Sequence, residues 1–317
     1  MRIVFMGTPG FASYMLNFLV EAGKNIVGVV TAPDRPAGRG RKPKASEVKV
    51  LAMAKNLPVL QPEKLKDQDF LTQLKGLNPD VIAVVAFRML PEKVWQLPPK
   101  GTINLHASLL PDYRGAAPIN HAIINGDTQS GVTTFLIDEK IDTGKILEQE
   151  KIVIEKDHTA GELHDKLMIL GAQVLNRTLT KIEEGNIHPV SQSELSNEQM
   201  RPAPKIFKED CRINWDQPAE KVHNFIRGLS PYPSAITTLK MKGVKPLNMK
   251  IFLSKPLNKN EDMAPGTLLI NHNTLKVACN PGVLEILSLQ AEGKKRLKTE
   301  DFLRGFNFKP EACFEEH

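Results

Sequence analysis

Three polar residues in this chain have the types and spacing to act on a carbonyl group. Asn104 and His106 lie two residues apart at the end of the run Gly101-Thr102-Ile103-Asn104-Leu105-His106, so in an extended strand both side chains leave on one face. A carboxamide beside an imidazole suits stabilisation of negative charge on a carbonyl oxygen under attack. Asp142, in Ile141-Asp142-Thr143-Gly144, comes just after the next predicted strand. A neighbouring strand would bring its carboxylate to His106, where it could orient the ring and relay a proton from an amine nucleophile. Taken singly, each feature has an ordinary explanation. Asn-x-His at a strand end is more often a satisfied polar pair, Asp-Thr-Gly is more often a turn, and the SLLP stretch at 108–111 is a proline-terminated loop. Their order along one sheet favours a site.

The elements that would position these residues alternate in type. Strand-like runs at RIVFMG, NIVGVVTAP, LPVLQP, DVIAVVAF, GTINLHAS and VTTFLIDE are interleaved with helix-compatible segments at 11–22, 46–56 and 69–77. A long helix starts at Thr159-Ala160-Gly161-Glu162, which has capping-box spacing, and carries Leu163, Leu167, Leu170, Val174 and Ile182 as an apolar stripe. This alternation predicts an α/β fold with a doubly wound, mostly parallel sheet over residues 1–187. The polar, proline-bearing stretch 188–206 reads as a linker. Residues 207–317 hold one helix near 219–227 and then short strand-like runs, SAITTLK, KIFLSK, GTLLIN, TLKVAC and VLEILSLQ, punctuated as in a small OB-like β-barrel.

Composition narrows the class. Hydrophobic residues make up 41% and charged residues 25% of the 317-residue chain, which is ordinary for a globular protein. No apolar stretch approaches the roughly 18 residues needed to span a bilayer. Cys211, Cys279 and Cys313 are far apart, so neither a disulfide framework nor a zinc site is expected, and a reducing cytoplasm is the expected compartment. The turn Gly7-Thr8-Pro9-Gly10 lacks the glycine spacing that admits a pyrophosphate, and no phosphate-cradling G-x-x-x-x-G-K-[ST] loop occurs. An NAD or ATP enzyme is disfavoured.

The string from Asn104 through His106 and SLLP to Arg114-Gly115, followed by Asp142-Thr143-Gly144, resembles the signature of the folate-dependent formyltransferases. FMGTPGFA, APDRPAGRGRKPKASEVK, RGAAPI and RGLSPYPSA extend that resemblance over essentially the whole chain, towards the members that act on initiator tRNA. The resemblance implies transfer of formyl from 10-formyltetrahydrofolate, a co-substrate, to the α-amine of methionine on initiator tRNA, with no metal. It implies that Asn104, His106 and Asp142 are catalytic and that Ser108, Leu109, Leu110 and Pro111 contact the folate. The chain departs from the family pattern at Phe87 and Arg88, where many relatives carry Tyr-Gly.

A second cluster is cationic. Arg35, Arg39, Arg41, Lys42 and Lys44 are interleaved with glycine and proline, a composition suited to following a phosphate backbone. The resemblance implies that this loop meets the tRNA acceptor end, with Arg39 foremost, and that the second domain binds tRNA. The stretch 221–260 carries eight Lys or Arg and no Asp or Glu, which could track the same backbone or form the exposed face of a barrel. A monomer is the default expectation. Three other readings stay open from sequence: a formyltransferase acting on an amino sugar, a hydrolase releasing formate from the folate, and a non-catalytic RNA-binding protein. A purine-pathway formyltransferase would leave the basic barrel unexplained.

Overall fold

The computed structural model describes residues 1–37, 42–195, 200–257 and 263–315. In chain order the first strands are β1 (Ile3–Gly7), β2 (Ile26–Val30), β3 (Arg35–Ala37), β4 (Lys42–Lys44), β5 (Val59–Leu60), β6 (Val81–Val85), β7 (Thr102–His106), β8 (Arg114–Gly115), β9 (Gln129–Leu136) and β10 (Ile146–Val153). The helices among them are α1 (Gly10–Glu21), α2 (Glu47–Ala54), α3 (Gln68–Gly76), α4 (Glu92–Trp95) and α5 (Pro118–Ile124), and α6 (Ala160–Glu184) follows.

The main sheet has the order β10-β9-β7-β6-β1-β2-β5. Its strands from β5 to β7 are parallel. β1 and β6 are buried at every position, as their unbroken apolar runs require when both faces are covered. One face packs Val4, Met6, Ile82 and Val84 against Phe70, Leu71 and Leu74 of α3 and Val94 of α4. On the other face, Leu105 and Met15 close on Gly171 of α6, where an added Cβ would lie 2.8 Å from Leu105 Cδ2. Strand order reverses at β1, and in such sheets ligands bind outside the carboxyl ends of the strands.

The sheet is mostly parallel, as expected, and the strand read at VTTFLIDE is β9, which runs antiparallel to β7. Between β7 and β9 the chain has the two-residue strand β8 and the short helix α5, and no long helix of the kind that usually carries a parallel crossover.

Later elements are β11 (Pro202–Ala203), α7 (Ala219–Leu229), β12 (Ala235–Met241), β13 (Val244–Leu257), β14 (Leu268–Ile270), β15 (Leu275–Cys279), β16 (Gly282–Ala291), β17 (Leu297–Lys298), α8 (Thr299–Gly305) and β18 (Cys313–Phe314). Antiparallel pairing gives the order β14-β15-β16-β13-β12-β18. The bridge Thr267–Cys313 and the hydrogen bond from Phe314 N to Gly266 O join the two ends into a nearly closed barrel. Trp215 is fully buried in it, stacks on Phe314 with ring centroids 5.3 Å apart, and donates Nε1–H to Thr237 Oγ1 at 3.0 Å. The amphipathic α7 supplies Val222, Ile226 and Leu229 to the same core.

The chain forms two compact units, one of Met1–Gly115, Gly131–Ile152 and Asp165–Pro202, the other of Ala116–Ser130, Val153–His164 and Ala203–His317. Part of the stretch expected to be a linker, 188–206, therefore belongs to the first unit. Ile146 and Val190 exchange backbone hydrogen bonds at 2.8 and 2.9 Å, which ties this stretch to the start of β10.

Candidate active site

Asn104 and His106 leave one face at the carboxyl end of β7, opposite Phe135 and Thr133 of β9. His106 is 6% exposed. Its Nε2 lies 2.8 Å from the Tyr113 carbonyl oxygen. A carbonyl only accepts, so Nε2 carries hydrogen and the neutral ring presents Nδ1 as an acceptor. That nitrogen faces Asp142 Oδ2 at 3.8 Å. The gap is too long for a direct hydrogen bond. Both side chains are largely closed off from water, at 7% and 14% exposure. The half-buried Asn104 makes no side-chain hydrogen bond among the described residues, so its carboxamide is unoccupied.

Asp142 reaches His106 by a different route from the one expected. β9 ends at Leu136, beside Ile103, at the far end of β7 from His106. The following residues must double back along the strand to return. Gly144 lies against β9 itself, where an added Cβ would stand 1.6 Å from the Leu136 carbonyl oxygen. Asp142 adopts φ 55°, left-handed backbone that aspartate tolerates better than most residues. Gly115 N donates to its Oδ2 at 3.0 Å.

The walls around this group are held by residues to which the sequence reading gave no role. Gln192, 3% exposed, donates Nε2–H to Asp142 O at 2.9 Å and Gly144 O at 2.8 Å. Arg114 donates to Gln192 Oε1 from Nε at 3.1 Å and Nη2 at 2.6 Å. Arg201 forms an ion pair with Asp112 at 2.7 Å, stacks on Tyr113 at 4.6 Å, and accepts Tyr113 N–H on its carbonyl at 2.6 Å. Arg114 and Gly115 belong to the quoted motif. Gln192 and Arg201 lie in a polar stretch with no periodicity, and no local pattern marks them.

Within the 108–111 stretch the four residues differ. Ser108 is fully buried and donates Oγ–H to Asp112 O at 2.7 Å, and Leu110 is buried with Phe135 and Ile146. Thr133 Oγ1 donates to Ser108 O at 2.6 Å and accepts Leu110 N–H at 3.1 Å. Leu109 and Pro111 stay half-buried. Among the described residues, no group of three or more His, Cys, Asp or Glu is placed to hold a metal ion, and no helix is long and apolar enough to cross a membrane.

Comparison with known proteins identifies the family. The formyl transferase family matches residues 1–179, and the family's C-terminal domain matches residues 205–307. The methionyl-tRNA formyltransferase of Bacteroides fragilis is 52% identical over 309 residues, covering 97% of this chain and 95% of that protein. This chain belongs to the formyl transferase family. The Flavobacterium johnsoniae methionyl-tRNA formyltransferase is 49% identical over 312 residues, covering 98% of each chain. Among solved structures, the sugar 3N-formyl transferase WlaRD shares the fold with a TM-score of 0.65 at 18% identity, covering 93% of this chain and 99% of its own.

In this formyl transferase an exposed carboxylate lies beside the N-terminus of α1. A Cβ at Gly10, its first residue, would lie 2.5 Å from Glu47 Oε2, so a carboxylate already sits against it. At the departure from the family pattern, Ala86 has φ 46° and Arg88 donates to the carbonyls of Pro62 and Glu63 while lying over the Phe87 ring.

Of the cationic loop, Arg39 and Arg41 lie outside the described residues. Arg35 is exposed on β3, which pairs with β4, the strand that begins at Lys42. The base of this hairpin is clamped: Asp34 pairs with Lys49 at 2.6 Å and accepts from Gln61 at 2.8 Å. These two donors hold the Asp34 carboxyl below the usual carboxylate range. The basic stretch in the second unit is less cationic in space than in sequence. Lys240 pairs with Glu315 at 2.6 Å and Lys242 with Glu311 at 2.8 Å. Arg227 is buried and donates to His158 O and Asn224 Oδ1. Lys221, Lys245, Lys250 and Lys255 remain exposed.

Proposed function

We propose that this chain transfers the formyl group of 10-formyltetrahydrofolate to the α-amino group of methionyl initiator tRNA, giving the N-formylated aminoacyl-tRNA used to start translation. The placement of Asn104 and His106 on one face of β7 with Asp142 3.8 Å from the imidazole, in a chain about half identical to methionyl-tRNA formyltransferases over nearly its whole length, carries this reading.

The co-substrate, when bound, supplies the formyl carbon. Asn104 donates its free carboxamide hydrogen to the carbonyl oxygen as charge builds there. His106, held by Tyr113 through Nε2, presents Nδ1 beside the Asp142 carboxylate at the reacting face. Asp142 takes the proton that leaves the attacking amine, directly or through water, and that proton passes to the folate nitrogen released as its bond to the formyl carbon breaks. Leu109 and Pro111 offer half-buried surface to the folate, and Ser108 and Leu110 hold the backbone of that loop. Arg35, Arg39, Arg41 and Lys42 meet the phosphates of the acceptor end, with Lys221, Lys245, Lys250 and Lys255 as further contacts. Residues 1–187 serve as the catalytic domain and 207–317 as the tRNA-binding domain of a cytoplasmic monomer.

The decisive experiment offers formyl-labelled folate together with charged initiator tRNA, amino-sugar nucleotides or neither. Label should reach the aminoacyl end. Label on the sugar amine, or free formate without transfer, would favour the corresponding rival. Asp142→Ala should lower the transfer rate on the order of 10²–10⁴-fold, and an unchanged rate would remove Asp142 from the mechanism.

A further inference from the structure

Gln192 lies 50 residues beyond Asp142 in sequence, in a stretch without pattern, yet it touches both ends of the turn that presents the carboxylate. Its amide is fully used. Two carbonyls accept from Nε2, and the Arg114 guanidinium donates twice to Oε1. Only one orientation of the amide satisfies all four bonds, since the reverse would set oxygen against two carbonyls and nitrogen against a cation.

The contacts close a ring. Asp142 Oδ2 accepts from Gly115 N, Gly115 is peptide-linked to Arg114, Arg114 holds Gln192, and Gln192 holds the Asp142 carbonyl. The side chain and the main chain of Asp142 are therefore fixed by the same short segment. Asp142 needs this, because its left-handed backbone and the close passage of Gly144 past Leu136 O are not conformations the turn would choose alone.

We propose that Gln192, supported by Arg114, is a positioning residue that sets the Asp142 carboxylate against His106. The proposal rests on the reading of Asp142 given above. Gln192 is 3% exposed and its amide bonds all go to protein groups, so its loss should act on turnover and not on binding.

The test is a double-mutant cycle in the full-length protein. Gln192→Met keeps the bulk and removes every amide bond, while Gln192→Glu keeps an acceptor for Arg114 and loses both donors to the turn. Each should lower kcat by about 10–100-fold, in the range expected when a catalytic group shifts by roughly an ångström. KM for folate and for tRNA should move by less than about twofold. In an Asp142→Asn background the same changes should cost less than about twofold further, because the group they position is already gone.

Full turnover in Gln192→Glu would overturn the proposal. So would an undiminished loss in the Asp142→Asn background, which would mark Gln192 as a general anchor of the fold. Thermal melting of each variant separates that case from misfolding, and Gln192→Glu keeps the test usable if Gln192→Met does not fold. If Asp142→Asn itself kept the full rate, the assignment of Asp142 would fail first and independently.

Discussion

At the scale of single residues, the site depends on backbone as much as on side chains. Gly144 shows this most sharply. Gly144→Ala would place a methyl 1.6 Å from the Leu136 carbonyl oxygen and 2.8 Å from its carbon, both backbone of a strand fixed in the sheet. The turn has to move, and with it Asp142. Overpacking of this kind costs about 1–3 kcal/mol, so urea unfolding should register the loss and formyl transfer should fall together with it. A variant with native stability and rate would mean that the turn has another position open to it. The positions of Asn104 and His106 on one face were legible, because two-residue alternation is a local property of strands. The approach of Asp142 was not, since it depends on the reversed direction of β9 and on a returning turn. Gln192 could not be found at all: one buried amide in a polar stretch leaves no periodic trace.

At the scale of elements, most of what the sequence suggested formed where expected. The capping box at the start of α6 is present: Glu162 Oε2 accepts Thr159 N–H at 2.8 Å, and Thr159 Oγ1 accepts Glu162 N–H at 3.3 Å. Thr159→Ala should destabilise by about 1 kcal/mol, read as a lower urea midpoint with an unchanged slope. No change would mean that water caps the helix equally well. All five strand-like runs of the second domain became barrel strands, β12 to β16. β10 went unread because ILEQEKIV mixes charge with apolar residues along a strand whose pattern is mostly half-buried. The closure through β18 went unread because a two-residue strand carries no signal of its own, and its place is set by distant partners.

For the molecule as a whole, charge counted along the chain overstates charge available to a polyanion. The net +6 contains Lys240 and Lys242, both already paired with glutamates from the far end of the sequence. Binding of tRNA should weaken steeply with salt, with log K falling by about 0.7–0.9 per phosphate neutralised for each unit of log salt. Arg39→Ala or Arg41→Ala should reduce that slope by roughly 1, and Lys242→Ala by clearly less. A salt-independent affinity would contradict the electrostatic account. Linear charge counting misses this internal cancellation, which only the folded arrangement discloses. A last consequence follows from Glu47, whose carboxylate rests against the first residue of α1. Sheets of this type elsewhere seat a dinucleotide at that point, and here a phosphate approaching the first amides of the helix would meet a like charge.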